Sequence, residues 1–110
     1  MNHEVTEEGK AIVVALEGDV DLSSSPDARK ILLECVRKGR PVIVDMAGVS
    51  YIDSSGVASL VESLQGARKA GCEFALAAIS EPALRVLHLA RLDTVFTIHE
   101  SREAALAELG

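Results

Sequence analysis

The sequence has 110 residues with a net charge of −6, and 48% of them are hydrophobic while only 3% are aromatic. This is the length of one domain, and the apolar fraction is large enough for a core that needs neither metal nor disulfide. The acidic charge argues against nucleic-acid and anionic-membrane binding, because both depend on basic residues. We therefore predict a single domain over residues 1–110, with no nucleic acid among its partners and no membrane insertion.

The first third of the chain alternates apolar runs with turn-forming segments. Residues 4–7 predict a short edge strand, and residues 11–16 (AIVVAL) predict a second strand from their β-branched and small apolar side chains. The segment GDVDLSSSP follows and is predicted to be a loop. Ser25 before Pro26 predicts a helix start, with the serine as cap, and apolar residues then recur at helical spacing as far as Gly39.

The rest of the chain predicts three further strands and three further helices. The run VIVD has no polar interruption before its aspartate, which is typical of a strand buried on both faces. The helices are predicted from helical spacing, from capping serines and from a closing glycine. The predicted elements are a strand at 42–45, a helix from Asp53 or Ser54 to Gly71, a strand at 74–79, a helix at 81–90 capped by Ser80, a strand at 95–98, and a helix at 101–109 capped by Ser101.

This order, β-β-α-β-α-β-α-β-α, predicts the fold class. Strands that alternate with helices pair mostly in parallel, because each crossover helix returns the chain to the end of the sheet where the previous strand began, so the next strand runs in the same direction. We expect an α/β domain with a central mixed, mostly parallel β-sheet, about four helices packed on it, and the VIVD strand in the interior.

The cysteines and histidines predict no redox or metal chemistry. Cys35 and Cys72 lack CxxC spacing and are expected to be reduced thiols, and His3, His88 and His99 show no ligand spacing. We predict no cofactor and no metal. No apolar run reaches ~18 residues and the first residues lack a signal-peptide pattern, so the expectation is a cytoplasmic protein. The absence of a heptad repeat favours a monomer.

The segment DSSG, at residues 53–56, is the main candidate site. In parallel α/β folds, ligands and partners bind at the carboxyl ends of strands, and DSSG follows the strand that Asp45 is predicted to end. Asp53 or Ser54 is expected to cap the next helix, with Ser55 in its first turn, where free N–H groups favour an anion or a phosphoryl group. Gly56 leaves room for another protein's backbone. Ordinary capping chemistry remains an alternative interpretation of all four residues.

Catalytic interpretations of the two serines have little support. The sequence has no GxSxG motif, and no histidine lies in a neighbouring segment to act as a base. A nucleotide-binding module is equally disfavoured, because no GxxxxGK[ST] loop occurs. We therefore expect a protein that is not an enzyme.

The segment VIVDMAGVSYIDSSGVASLVESLQGARKAG closely resembles the STAS domain of bacterial anti-sigma factor antagonists. GDVDL resembles the exit of the second strand in that family, and FALAAISEPALRVLHLARLDTVFTIHES resembles its C-terminal third. The resemblance covers nearly the whole chain. One departure is Ala58, where relatives often have glycine; we expect this difference to alter how tightly a partner fits while leaving the predicted site unchanged.

The resemblance implies a protein that binds an anti-sigma factor, itself a serine kinase, and so releases a sigma factor. The kinase is expected to inactivate the antagonist by phosphorylating the second serine of the motif, Ser55, and a cognate phosphatase reverses this. The partner-binding residues that the resemblance implies are Asp21, Asp53, Ser54, Ser55, Gly56 and Val57. For Asp21 and Asp53, turn and cap chemistry is the alternative interpretation.

A second function within the same family is also open. Some STAS domains are regulatory subunits of ABC-type lipid transporters and bind the transporter's ATPase. Those subunits often carry Thr-Ala where this chain has Ser54 and Ser55, so Ser55 favours the phosphorylation switch. A neighbouring gene pair, either kinase and phosphatase or permease and ATPase, separates the two.

Overall fold

The computed structural model describes all residues, 1–110, and contains five strands and four helices in the predicted order. The elements are β1 Asn2–Glu8, β2 Ala11–Val20, α1 Ser25–Val36, β3 Val42–Ile52, α2 Ser54–Ala70, β4 Phe74–Ala77, α3 Glu81–Leu89, β5 Thr97–His99 and α4 Arg102–Leu109.

The strands form one sheet in the order β1-β2-β3-β4-β5, with β3 at its centre. β1 pairs antiparallel with β2, and the three remaining pairs are parallel. The expected mixed, mostly parallel sheet with four helices is therefore confirmed, and so is the interior position of the VIVD strand. Val42, Ile43 and Val44 are fully buried because β3 has a strand on each side and helices on both faces.

Adjacent strand residues point to opposite faces of the sheet and enter two different core clusters. On one face, Val14 of β2 belongs to the same cluster as Leu32 of α1, Leu60 of α2 and Leu87 of α3. On the other face, a smaller cluster packs beneath α4, and its members are Ala11, Val13, Ile43, Ala77 and Ala105. Helices α1 and α2 therefore lie together on the face of the sheet that carries the larger core cluster.

β2 and β3 are both longer than the sequence predicted. β2 continues to Val20, through the first third of the GDVDLSSSP segment expected to be a loop, and β3 continues past Asp45 to Ile52. The two extensions pair with each other, with shifts in register that accommodate their glycines and polar residues. The expectations that Asp45 ends its strand and that a loop precedes DSSG are therefore wrong.

The helix caps agree with prediction at three of four helices. Ser80 and Ser101 each accept a hydrogen bond from the backbone N–H three residues later, and Gly71 closes α2 with a φ of +73°. α1 differs, because it begins at Ser25 and its N-cap is Ser24. The Ser24 hydroxyl leaves the helix uncapped, since it donates to the carbonyl of Asp19 instead.

The two cysteines are free, with Cys35 buried and Cys72 half-buried. No helix combines the length and apolarity that crossing a bilayer demands. No group of three or more histidine, cysteine, aspartate or glutamate side chains is arranged to hold a metal ion.

Candidate functional site

The site lies where β2 and β3 end side by side. Val20 pairs with Ile52 at the carboxyl ends of the two strands. The Asp53 N–H donates to the carbonyl of Val20 at 3.3 Å, so the pairing continues up to the first residue of the motif. The β2–α1 loop and the start of α2 therefore lie side by side at the carboxyl end of the sheet.

Asp53 holds these two segments together. Its Oδ1 caps α2 by accepting the N–H groups of Ser55 and Gly56 at 2.9 and 3.0 Å. The same oxygen accepts the Ser55 hydroxyl at 2.5 Å. Its Oδ2 accepts the N–H of Leu22, which lies in the β2–α1 loop, at 3.1 Å. Of the two capping residues that the sequence left open, the structure selects Asp53.

These hydrogen bonds keep the Asp53 side chain ionised. The Ser55 hydroxyl above all, and then the Gly56 N–H, lower the pKa of the Asp53 carboxyl below its ordinary value of 3.8. The carboxylate is therefore a fixed negative charge next to the Ser55 hydroxyl at neutral pH.

Asp21 forms a second, similar turn 32 residues earlier in the chain. Its Oδ1 accepts the Ser23 hydroxyl at 2.7 Å and the N–H groups of Ser23 and Ser24 at 3.0 and 3.3 Å. The Ser23 hydroxyl is the main reason that the pKa of the Asp21 carboxyl is lowered. The turn chemistry considered from the sequence therefore accounts for the local role of Asp21. The ionised Asp21 carboxylate is a second negative charge at the carboxyl end of the sheet.

The two serines of the motif differ in environment. Ser54 is the first residue of α2, is exposed, and its hydroxyl makes no hydrogen bond. Ser55 is half-buried, and its hydroxyl donates to Asp53. Neither hydroxyl caps the helix, so the capping interpretation of the serines fails while that of Asp53 holds.

Gly56 and Val57 lie beneath the site and are buried. A Cβ atom on Gly56 would come 2.4 Å from the carbonyl oxygen of Val20 and 2.7 Å from Cγ1 of Ile52. The interpretation that Gly56 leaves room for a partner's backbone is therefore corrected, because the chain's own β2 occupies that space. A part for Gly56 and Val57 in partner binding stays a prediction, and in this conformation it is indirect.

Two exposed apolar side chains beside the motif were missed in the sequence. Leu22 is 77% exposed and Tyr51 is 54% exposed. With Asp21, Ser23 and Asp53 they line an open depression of about 550 Å³, called here the acidic hollow. The signal was a leucine within the polar segment GDVDLSSSP and the only tyrosine of the chain two residues before Asp53.

The lowered pKa of Asp53 predicts a pH-dependent contribution to stability. Because the ionised form is favoured in the folded state, its stabilisation is complete above the ordinary pKa of 3.8 and is lost as the pH falls through the lower folded pKa. Asp53→Asn is therefore expected to lower the thermal midpoint at neutral pH, and the difference from wild type should shrink below pH 3.8.

Circular-dichroism melts over this pH range measure the effect. Asp19→Asn is the control, because the exposed Asp19 side chain makes no hydrogen bond at the same edge. A difference between wild type and Asp53→Asn that stays constant with pH would contradict the assignment.

The STAS domain family model matches residues 2–105 of the chain. The anti-sigma-B factor antagonist of Bacillus subtilis (strain 168) is 26% identical over 106 residues, which cover 96% of this chain and 97% of that protein. An anti-sigma factor antagonist from Mycobacterium paratuberculosis superposes with a TM-score of 0.89 at 22% identity, covering 98% of this chain and 92% of the other.

The phosphorylated form of the Bacillus cell fate determinant SpoIIAA superposes with a TM-score of 0.77 at 17% identity, covering 99% of this chain and 100% of the other. At such identities the two structural matches show a shared fold.

Proposed function

The chain belongs to the STAS domain family, and we propose that it is an anti-sigma factor antagonist controlled by phosphorylation of Ser55. Unphosphorylated, it binds an anti-sigma factor that is also a serine kinase. Phosphorylated, it releases that partner, and a cognate phosphatase restores the active form. The protein itself performs no catalysis in this scheme. Support comes from the family match and from the similarity to the Bacillus subtilis antagonist over nearly the full length of both chains.

The observation that carries the proposal is the contact between the Ser55 hydroxyl and the ionised Asp53 at the start of α2. In the transfer, Ser55 Oγ forms a bond to the γ-phosphorus of a nucleoside triphosphate held by the kinase. The bond from that phosphorus to the β–γ bridging oxygen breaks, the diphosphate leaves, and the hydroxyl proton passes to a catalytic carboxylate of the kinase. Ser55 Oγ then has no proton to donate to Asp53, so modification breaks this contact directly.

The acidic hollow is the proposed docking surface for the anti-sigma factor. Leu22 and Tyr51 offer apolar area, and Asp21 and Asp53 surround it with negative charge. A complementary partner has an apolar recess with basic residues around it, since such charge pairing steers association and fixes orientation. Because Asp53 bonds both Leu22 and Ser55, this surface and the phosphorylation site are one connected unit.

Labelling by the cognate kinase tests the proposal. Ser55→Ala is expected to abolish phosphate incorporation, because it removes the acceptor hydroxyl. Ser54→Ala is the matched control one residue away and should be labelled at a rate close to wild type, since the Ser54 hydroxyl makes no contact. Labelling of Ser55→Ala at the wild-type rate would refute the assignment. An unlabelled wild type that co-purifies with an ABC-transporter ATPase would favour the transporter function instead.

Leu22→Ser is expected to weaken binding to the anti-sigma factor about tenfold or more, because burying a leucine side chain in an apolar recess contributes about 1.5–3 kcal/mol. Leu89→Ser is a matched control, since both leucines are 77% exposed in the free protein. Leu89 ends α3, which starts at the carboxyl edge of the sheet and runs away from it. Isothermal titration calorimetry of the two variants decides, and equal losses of affinity would count against the acidic hollow.

A further inference from the structure

A groove between α1 and α2 contains Ser55 and one basic residue. The groove has a volume of about 250 Å³ and is open to solvent. Arg29 of α1 lines it together with Ser55, Ala58 and Glu62 of α2, and no lysine or second arginine does so. It lies apart from the acidic hollow, whose lining includes neither Ser55 nor Arg29.

The backbone around this groove is held by a buried hydroxyl. Ser59 Oγ lies 3.0 Å from the carbonyl oxygen of Ser25 in α1 and 3.1 Å from that of Ser55 in α2, so its single proton is shared between these two acceptors. One side chain therefore joins the first turns of the two helices. This shared bond fixes the spacing between the backbone at Ser55 and the turn of α1 that leads to Arg29, four residues after Ser25.

Arg29 has only a weak partner in the unmodified protein. Its guanidinium lies 3.1 Å from Glu62, and the two side chains are 49% and 48% exposed. An ion pair this exposed contributes little to stability, because water and salt screen it. Arg29 is therefore free to exchange Glu62 for a stronger anion at small cost.

We propose that Arg29 is the internal counter-charge of phosphorylated Ser55. On modification, the phosphate turns from Asp53 into the groove and pairs with Arg29, which releases Glu62. This inference rests on the proposed function in taking Ser55 as the phosphorylated residue.

The direction of that turn follows from the charges around Ser55. Asp53 lies on one side, within hydrogen-bond distance of Ser55 Oγ, and repels a phosphate. On the groove side, Glu62 repels it as well, while Arg29 attracts it and presents a planar array of donors that fits phosphate oxygens. Arg29 is the only cationic side chain that lines the groove.

Titration of the phosphate tests the pairing. Phosphoserine is installed at position 55 during synthesis by codon-directed incorporation, and its second pKa is followed by ³¹P NMR. Arg29→Gln is expected to raise this pKa by roughly 0.5 unit relative to the phosphorylated wild type, since it removes a charge that favours the dianion. Arg29→Lys should recover part of the difference, because it restores the charge without the planar fork.

Lys30→Gln is the control. It removes the same charge from the next residue, and Lys30 is exposed and lines a different depression. It should leave the phosphate pKa close to the wild-type value. Equal pKa values in wild type, Arg29→Gln and Lys30→Gln would overturn the proposal. The titration needs no kinase, so its outcome is independent of the kinase-labelling experiment. If the kinase labels Ser55 but Arg29→Gln leaves the phosphate pKa unchanged, only the role of Arg29 is rejected. If the phosphate pKa changes but no kinase labels Ser55, only the proposed function is rejected.

Discussion

Phosphorylation of Ser55 is expected to weaken binding of the anti-sigma factor about a hundredfold. A kinase holds a carboxylate near the hydroxyl that it phosphorylates, so the product phosphate faces that group in the complex. A dianion about 6 Å from a carboxylate, at an effective dielectric constant of about 40, is repelled by roughly 2–3 kcal/mol before salt screening. This free energy corresponds to about two orders of magnitude in affinity.

Calorimetric binding of phosphorylated and unmodified protein measures this effect. Ser55→Ala should bind nearly as well as wild type, because it adds no charge. Ser55→Asp should lose less affinity than the phosphorylated protein, since it adds one charge and fewer acceptor oxygens. Ser54→Asp controls for net charge, because it adds the same charge one residue away on an exposed side chain. Equal affinity of the phosphorylated and unmodified forms would contradict the switch.

Gly56→Ala is expected to destabilise the fold by about 1–3 kcal/mol or more, the usual cost of forcing extra volume into a packed interior. The new Cβ would lie 2.4 Å from the Val20 carbonyl oxygen, and backbone atoms of β2 cannot rotate away as a side chain can. The start of α2 would have to move away from β2. The bonds from Asp53 to Leu22 and to the first turn of α2 would then be strained as well.

Urea denaturation of Gly56→Ala and Gly66→Ala provides the comparison. Both glycines lie in α2, but a Cβ on Gly66 meets only side-chain methyl groups, Cδ2 of Leu33 at 3.0 Å and Cγ1 of Val36 at 4.0 Å. Gly66→Ala should therefore be neutral, or stabilising by up to about 1 kcal/mol through helix propensity. If Gly56→Ala is as stable as wild type, the close approach of α2 to β2 is not what requires glycine at this position.

The local signals in the sequence were sufficient for the order of the elements. Apolar runs and helical spacing depend on residues within a few positions of one another, and they identified all five strands and four helices. The caps Ser80 and Ser101 were predictable for the same reason, because each bonds a backbone group three residues later. The DSSG segment was identified as the candidate site from residue types and from the family resemblance.

What the sequence left undecided depends on residues that are far apart in the chain. Glycines and aspartates after Leu16 and Asp45 are turn signals by themselves, and only the pairing of β2 with β3 keeps both segments extended. The requirement for Gly56 comes from Val20, and the acidic hollow forms because Asp53 bonds Leu22 across 31 residues.

Local propensity therefore determined which elements form and which segment carries the candidate site. Tertiary packing decided what lies near Ser55 beyond its own turn, because Leu22 bonds Asp53 from the β2–α1 loop and Arg29 lines the groove beside Ser55 from α1. Distances between such segments are set by the sheet register and by the packing of α1 on α2. Neither is encoded in any short stretch of the sequence.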